Sequence, residues 1–316
     1  MSNKNRDLKK NDVNLIRECF YQTGIQTKNS LRQKTGISSG GITGILQELL
    51  QSGEILYVSD AASTGGRRSK QYVLNPDHAH IGTVSCYRTL NSYCFFTDRY
   101  ACNGVHLDEK QAVYDDGTAG ELHDEIQKML ASDHLIRTVV ISIPGFCKNG
   151  IVQVCDFHEL EGKNLKAGIP ADIATVIEND VNVAGIGFYH EQKYQNMALI
   201  YQPDAEYSGA GLIIDGKLYN GADHKAGEMR YLCGNEKVQK LKDPSLQLWK
   251  EICAIQAVID PEIIGWCSDI TKEADLMKHA EGAGIRLRHV KNMNELIEKG
   301  MYEIGKNRLL KRGDNI

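Results

Sequence analysis

The chain has 316 residues, 41% of them hydrophobic and 25% charged, with a formal net charge of -4. That balance excludes a mainly disordered polypeptide, and the length exceeds what one hydrophobic core serves, so two or more compact units are expected. No run approaches the ~18 consecutive apolar residues of a membrane span, and the N-terminal MSNKNRDLKKNDVN has no apolar stretch behind its positive charges. Neither a membrane association nor a secretory signal is therefore expected, and the location implied is cytoplasmic. The nine cysteines are scattered without a C-x-x-C pair, which points to reduced thiols and not to a disulfide framework or a zinc ribbon.

Charge is distributed unevenly. Residues 1–75 carry 11 Lys and Arg against 6 Asp and Glu, whereas the remainder carries 26 against 35. A basic head on an acidic body suggests that the head meets a polyanion and the body does not. In the head, Val13, Ile16 and Phe20 fall at helical spacing in DVNLIRECFY (12–21), and Gly24 ends that helix. Thr27 is placed to cap a short helix KNSLRQKT that stops at Gly36, and Ser38 to cap a third, SGGITGILQELLQSG, which stops at Gly53. Two helices joined by the tight turn T-G-I-S form a helix-turn-helix pattern. The segments EILYVSD and KQYVLNP read as strands joined by AASTGGRRS, making a wing.

The wing tip combines Gly65 and Gly66, which permit close backbone approach, with the cations Arg67, Arg68 and Lys70. Such a tip suits a narrow, electronegative minor groove. The third helix offers Ser38, Ser39, Thr43 and Gln47 toward a major groove, all short or neutral. With no Lys or Arg between Lys34 and Arg67, phosphate anchoring falls to Lys28, Arg32, Lys34, the wing and the N-terminal arm, so affinity for duplex DNA should be modest and salt-sensitive.

From His80 the pattern alternates strands and helices: a hairpin in IGTVSCYRTLNSYCFFTDRY, the helix GELHDEIQKMLAS, a buried strand RTVVISIPGF, a strand-to-helix turn in ATVIEND and NVAGIGFYHEQ, then further strands and C-terminal helices. This is an α/β body. No internal sequence repeat stands out.

Five segments in order, T-G-G-R-R-S-K-Q-Y-V-L-N-P (64–76), S-I-P-G (142–145), I-E-N-D-V-N-V-A (177–184), I-I-D-G-K-L-Y-N-G-A (213–222) and A-G-E-M (226–229), resemble landmarks of the ROK family, which groups sugar-responsive repressors, open reading frames of unknown role and sugar kinases. The resemblance runs from about residue 11 to residue 232. It implies an N-terminal winged helix-turn-helix (1–76) followed by a two-lobed, actin-like (ribonuclease-H-like) sugar-kinase fold. The expected lobes are 77–186, completed by a C-terminal helix at 293–312, and 187–292, with a sugar held between them.

The same resemblance locates departures. Where the family's kinases carry D-x-G-x-T, this chain reads I-G-T-V-S-C-Y-R-T (81–89), with Val84 in place of the Asp and Cys86-Tyr87 in place of the glycines. Valine cannot engage a metal or its waters, and a tyrosine occupies space that a phosphate-cradling backbone leaves free. The second phosphate loop reads A-E-Y-S-G (205–209), where Glu206 would repel a nucleotide. Phosphoryl transfer, a cofactor and a metal are therefore not expected. On the sugar side, Asn179, Asp180 and Glu228 match residues that contact sugar in the family, with Asp180 matching the catalytic Asp. Gly145 of the S-I-P-G turn and Glu159 of H-E-L (158–160), which replaces an Asn, complete the set. Tyr231 stands where the family has a His, and Cys233-Gly234 is the only remnant of a zinc-binding cysteine cluster, too little for four ligands. A plainer role for Asn179 and Asp180 is capping of a helix.

The reading implied is a DNA-binding regulator, acting as a repressor, whose body senses a sugar or sugar phosphate. As a homodimer or homotetramer it would set two recognition helices on a palindromic duplex operator. Two alternatives stay open: an active ATP-dependent sugar kinase with an accessory head, and a scaffold without a small effector.

Overall fold

The computed structural model describes residues 3–60, 69–88, 92–115, 118–204, 208–233 and 243–312. The head comprises α1 (Asn3–Thr23), β1 (Gln26–Thr27), α2 (Lys28–Thr35), α3 (Ser39–Gln51), β2 (Ile55–Asp60) and β3 (Lys70–Leu74). Helix α1 begins nine residues before the stretch whose apolar spacing suggests a helix, at Asn3 instead of Asp12. The two capping expectations hold. Thr27 and Ser30 exchange bonds in a capping box, with Ser30 N–H donating to Thr27 Oγ1 at 3.1 Å and Thr27 N–H to Ser30 Oγ at 2.9 Å. Ser38 Oγ accepts from Gly41 N–H at 3.2 Å. Strands β2 and β3 form the antiparallel wing, with β1 on the far side of β3. Arg17 clamps the junction by donating to both oxygens of buried Glu54 at 2.8 and 2.9 Å, a bidentate geometry that fixes orientation as well as charge.

The body follows with β4 (His80–Arg88), β5 (Tyr93–Ala101), β6 (His106–Tyr114), α4 (Ala119–Ser132), β7 (Ile136–Ile143), the hairpin β8 (Gly145–Lys148) and β9 (Ile151–Cys155), β10 (Ala174–Asn179) and α5 (Asp180–Gln192). Then come β11 (Met197–Gln202), β12 (Gly209–Ile214), β13 (Lys217–Leu218), α6 (Pro244–Ile259), β14 (Ile263–Ser268), α7 (Glu273–Ala280), β15 (Leu287–His289) and α8 (Met293–Arg312). Two five-stranded sheets result, ordered β10-β7-β4-β5-β6 and β13-β12-β11-β14-β15. Each has an antiparallel three-strand meander, one edge of which continues into two parallel strands. The topological repeat has no counterpart in sequence, since patterning needs only the right faces to be apolar. Strand β6 and the β8–β9 hairpin are additions to the elements read from sequence.

Helix α4 covers one face of the first sheet through Leu122, Ile126 and Met129, packed with Val84 and Phe95. Helices α5 and α8 fill the space between the sheets, where Val183, Phe188, Ile297 and Met301 meet Val140 of one sheet and Leu199 and Ile213 of the other. The lobe boundary expected at residue 186 thus falls inside α5. Helices α6 and α7 cover the far side of the second sheet with Leu248, Ile252 and Leu276 against Trp266.

Two features of α8 fix the assembly. A Cβ on Gly300 would lie 1.9 Å from the Val183 carbonyl oxygen, and one on Gly187 would lie 2.1 Å from that of Leu296, so α5 and α8 cross backbone to backbone. Near its C-terminal end, Leu309 joins Val13, Ile16, Phe20, Ile42 and Leu49 of the head in one cluster with Ile81 and Cys102 of the body. The eight cysteines whose side chains are described are free thiols. Among the described residues, no helix is long and apolar enough to cross a membrane.

Substituting Gly300 by Ala should destabilise the fold by about 1–3 kcal/mol through overpacking at the α5–α8 crossing. Gly120→Ala in α4, whose new methyl meets nothing closer than 3.7 Å, should instead leave the urea unfolding midpoint unchanged or slightly raised, since Ala favours a helix over Gly by up to about 1 kcal/mol.

Candidate functional site

A cavity of about 400 Å³ opens between the two sheets. Its walls come from the end of β4 (Cys86, Tyr87, Arg88), the β7–β8 turn (Pro144, Gly145), the N-terminus of α5 (Asn179, Asp180), the start of β12 (Ser208, Gly209), Glu228 and Arg230, and the first turns of α8 (Met293, Asn294, Ile297). Four of the five sugar-site residues expected from sequence therefore meet in one cleft. The fifth does not. Glu159 is exposed on the turn after β9 and lines a separate depression with Thr118, His123 and Lys163 beside α4, while its neighbour His158 reaches the cleft. A one-residue reading of a short turn cannot fix which side chain turns inward.

Asn179 is committed to structure. Its Oδ1 accepts from Val181 and Asn182 N–H at 3.0 and 3.1 Å, capping α5, and its Nδ2 donates to Gly145 O at 3.2 Å. The capping alternative thus describes Asn179 well, although the residue still lines the cleft. Gly145 is needed for a second reason, because a Cβ there would sit 2.2 Å from the Val154 carbonyl oxygen of the adjoining strand. Behind them, Glu178 accepts from Asn182 and Asn220 side chains at 2.9 and 3.2 Å, a bracing network that sequence reasoning did not single out.

Asp180 differs in kind. Burial pushes its carboxyl up to about 7, and the like charges of Asp156 and Glu228 add to the shift against the bond from Val181 N–H. A carboxyl that holds a proton near neutrality can donate one hydrogen bond as well as accept, which suits a sugar hydroxyl. Glu228 is also raised, chiefly by burial, with Arg230 opposing at 3.3 Å. Arg88, Asp156 and Arg230 are the cleft's other charged groups. Arg230 could have been noticed as the residue directly after A-G-E-M; Asp156 becomes legible only through the β8–β9 pairing.

The stretches that resemble the kinases' two phosphate motifs lie at the end of β4 and before β12. Val84 is fully buried in the core beneath α4 and is not among the residues that line the cleft. Tyr87 projects at the cleft and stacks edge-on against Phe96 at 5.4 Å. Of the A-E-Y-S-G loop, Glu206 lies outside the described residues, and Ser208 and Gly209 line the cleft. Tyr231 is 56% exposed, with the Lys225 and Arg230 cations over its ring at 5.9 and 5.7 Å.

In the head, Ser38, Ser39 and Gln47 are exposed on α3 and Thr43 is half-buried. Two of these hydroxyls are already engaged, Ser38 in its cap and Thr43 in a 2.6 Å bond to Ser39 O. Lys70 is exposed at the start of β3 with its ammonium 5.7 Å from the Tyr57 ring centre. Arg67 and Arg68 lie outside the described residues.

No protein-family model matches the sequence. The xylose repressor of Lactiplantibacillus pentosus is 26% identical over 214 residues, covering 63% of this chain and 52% of that protein, so the match spans about half the length of the relative. Among solved structures, a ROK family transcriptional regulator, a homologue of the E. coli MLC protein, superposes with a TM-score of 0.73 at 16% identity, over 97% of this chain and 98% of its own. A ROK family glucokinase from Streptomyces griseus, solved with glucose and AMPPNP, superposes with a TM-score of 0.53 at 13% identity, over 72% of this chain and 100% of its own. The regulator match thus extends through the head, while the kinase match is confined to a share of the chain the size of the body. In fold the chain is similar to these ROK proteins, to the regulator over nearly its whole length and to the glucokinase over about three quarters of it.

Proposed function

We propose that the chain is a transcriptional regulator, acting as a repressor, that binds duplex DNA through its head and a sugar or sugar derivative in the interlobe cleft without transferring phosphate. One observation carries this reading: Val84, at the position of the family's metal-binding Asp, is sealed in the core, while Asp180 and Glu228 still face the cleft. The protein named a xylose repressor makes xylose the first sugar to test. In this account the sugar hydroxyls exchange hydrogen bonds with Asp180 and Glu228, and bonds of this charged type contribute ~1.5–3 kcal/mol each. A homodimer or homotetramer would present paired α3 helices to successive major grooves, with the wing cations anchoring phosphates alongside.

A second reading, an active kinase, draws support from the proton affinity of Asp180, since a carboxyl of about 7 is well matched to general-base work. It lacks a residue to hold the metal of a nucleotide complex at position 84. Calorimetric titration with ATP and Mg²⁺ separates the two: the regulator reading expects no saturable heat, and nucleotide binding at micromolar strength would favour the kinase.

The head is tested separately. On a duplex selected by this protein from a random pool, replacing both Arg67 and Arg68 by Ala should weaken binding at least tenfold in a fluorescence anisotropy titration, and should flatten its salt dependence by about two charges' worth of counterion release. Unchanged affinity would remove the wing from the interface.

A further inference from the structure

On the face of the first sheet that turns toward α8, away from the cleft's carboxylates, Asp98 of β5 stands directly opposite Glu109 of β6. Like charges in a cross-strand pair repel and destabilise a sheet. The next pair along, on the opposite face, shows the usual solution: Arg99 faces Asp108 and donates to both of its oxygens at 2.5 and 2.6 Å. Asp98 and Glu109 have no such partner. Among the described residues no Lys or Arg forms an ion pair with either of them, or with Glu298 of α8, whose carboxyl is close enough to feel both charges. Asp98 is nonetheless 4% exposed, and the one hydrogen-bond partner of its carboxylate among the described residues is His106 Nε2 at 3.0 Å, on Oδ1. The register slips between Arg99 and Tyr100, so that His106 pairs with Tyr100 and its ring comes round to the side of Asp98. Bulges commonly re-aim a side chain in this way beside a site.

The resulting group has the composition and spacing of a metal site. One ligand atom each from Asp98, His106 and Glu109 lies within 4.8 Å of the others. Zinc–nitrogen and zinc–oxygen bonds of about 2.0–2.2 Å place neighbouring ligand atoms about 3.0–3.5 Å apart, and the Asp98–His106 separation already falls there. Glu109, exposed at the rim, has only to close inward. A dication would supply the missing positive charge for the opposed carboxylates, and the mixture of one imidazole with two carboxylates favours a transition metal over Mg²⁺ or Ca²⁺.

We propose that Asp98, His106 and Glu109 form a site for a divalent transition-metal ion, of which Zn²⁺ is the natural probe, on the face of the first sheet beside α8. The site is separate from the remnant cysteine cluster at Cys233 and from the sugar cleft. It adjoins the contact between head and body, because the His106 ring packs on Tyr100 at 4.9 Å and Tyr100 on Tyr302 of α8 at 5.5 Å.

The test uses the full chain, stripped with chelator and titrated with Zn²⁺ by calorimetry and with Co²⁺ by visible absorption. The expected result is one saturable site per chain, whose Co²⁺ spectrum lacks a thiolate charge-transfer band and whose affinity falls at least tenfold in both D98N and H106Q. His106 is partly exposed, so H106Q should fold, and matching circular dichroism and melting of the metal-free variants checks this. Absence of saturable binding, a thiolate band, or an affinity unaffected by both substitutions would overturn the site, as would binding of Mg²⁺ or Ca²⁺ that ignores H106Q.

Discussion

Everything in this molecule is arranged around the close crossing of α5 and α8. Packing at backbone distance, enforced by Gly187 and Gly300, leaves no slack between the helix that begins at the cleft floor with Asp180 and the helix that ends among the apolar residues of the head. Helix α8 has 20 residues, which at 1.5 Å per residue spans about 30 Å. Its first turns line the cavity with Met293 and Ile297, and its last turns hold Leu309 against α1 and α3. Side chains packed to native density transmit displacement instead of absorbing it. If a ligand in the cleft shifts α8, the head has to respond.

This arrangement gives the proposed sensing role a physical route. Coupling requires that the ligand bind the DNA-competent and DNA-incompetent forms with different affinity; a tenfold difference corresponds to about 1.4 kcal/mol. The cleft's electrostatics suit a polyhydroxyl ligand better than a nucleotide. Burial, with the like charges of Asp156 and Glu228 adding to it, keeps the proton on Asp180 up to about 7, and a polyphosphate would bring further negative charge to a cleft whose Lys and Arg among the described lining residues are Arg88 and Arg230. Neutral hydroxyls can use both donor and acceptor states of the same carboxyls.

How much of this was legible in the sequence depends on how local the determinant is. Thr27, Ser38 and Asn179 were readable as caps because a cap is a contact between residues two or three apart. Val84 and Tyr87 were readable as departures from a motif, and strand alternation put them on opposite faces. The misplacement of Glu159, by contrast, arises in a turn where adjacent side chains point apart and no periodicity decides between them. The Arg17–Glu54 clamp, the bracing of Glu178 by Asn220, and the burial of Leu309 in the head link residues 37, 42 and more than 200 positions apart, and no spacing rule encodes them. The opposed pair Asp98 and Glu109 is the most instructive case. The β6 strand itself was not foreseen, and only the observed register, with its slip at Tyr100, brings His106 to the same place.

The measurement that bears most directly on the account is the affinity of the chain for its selected duplex with and without a saturating pentose or hexose, in the parent and in a variant carrying D180N and E228Q. The account predicts that at least one sugar, xylose being the first candidate, changes the dissociation constant severalfold in the parent and leaves the double variant's unchanged. An effect of the same size in both proteins, or DNA binding indifferent to every sugar tried, would contradict it.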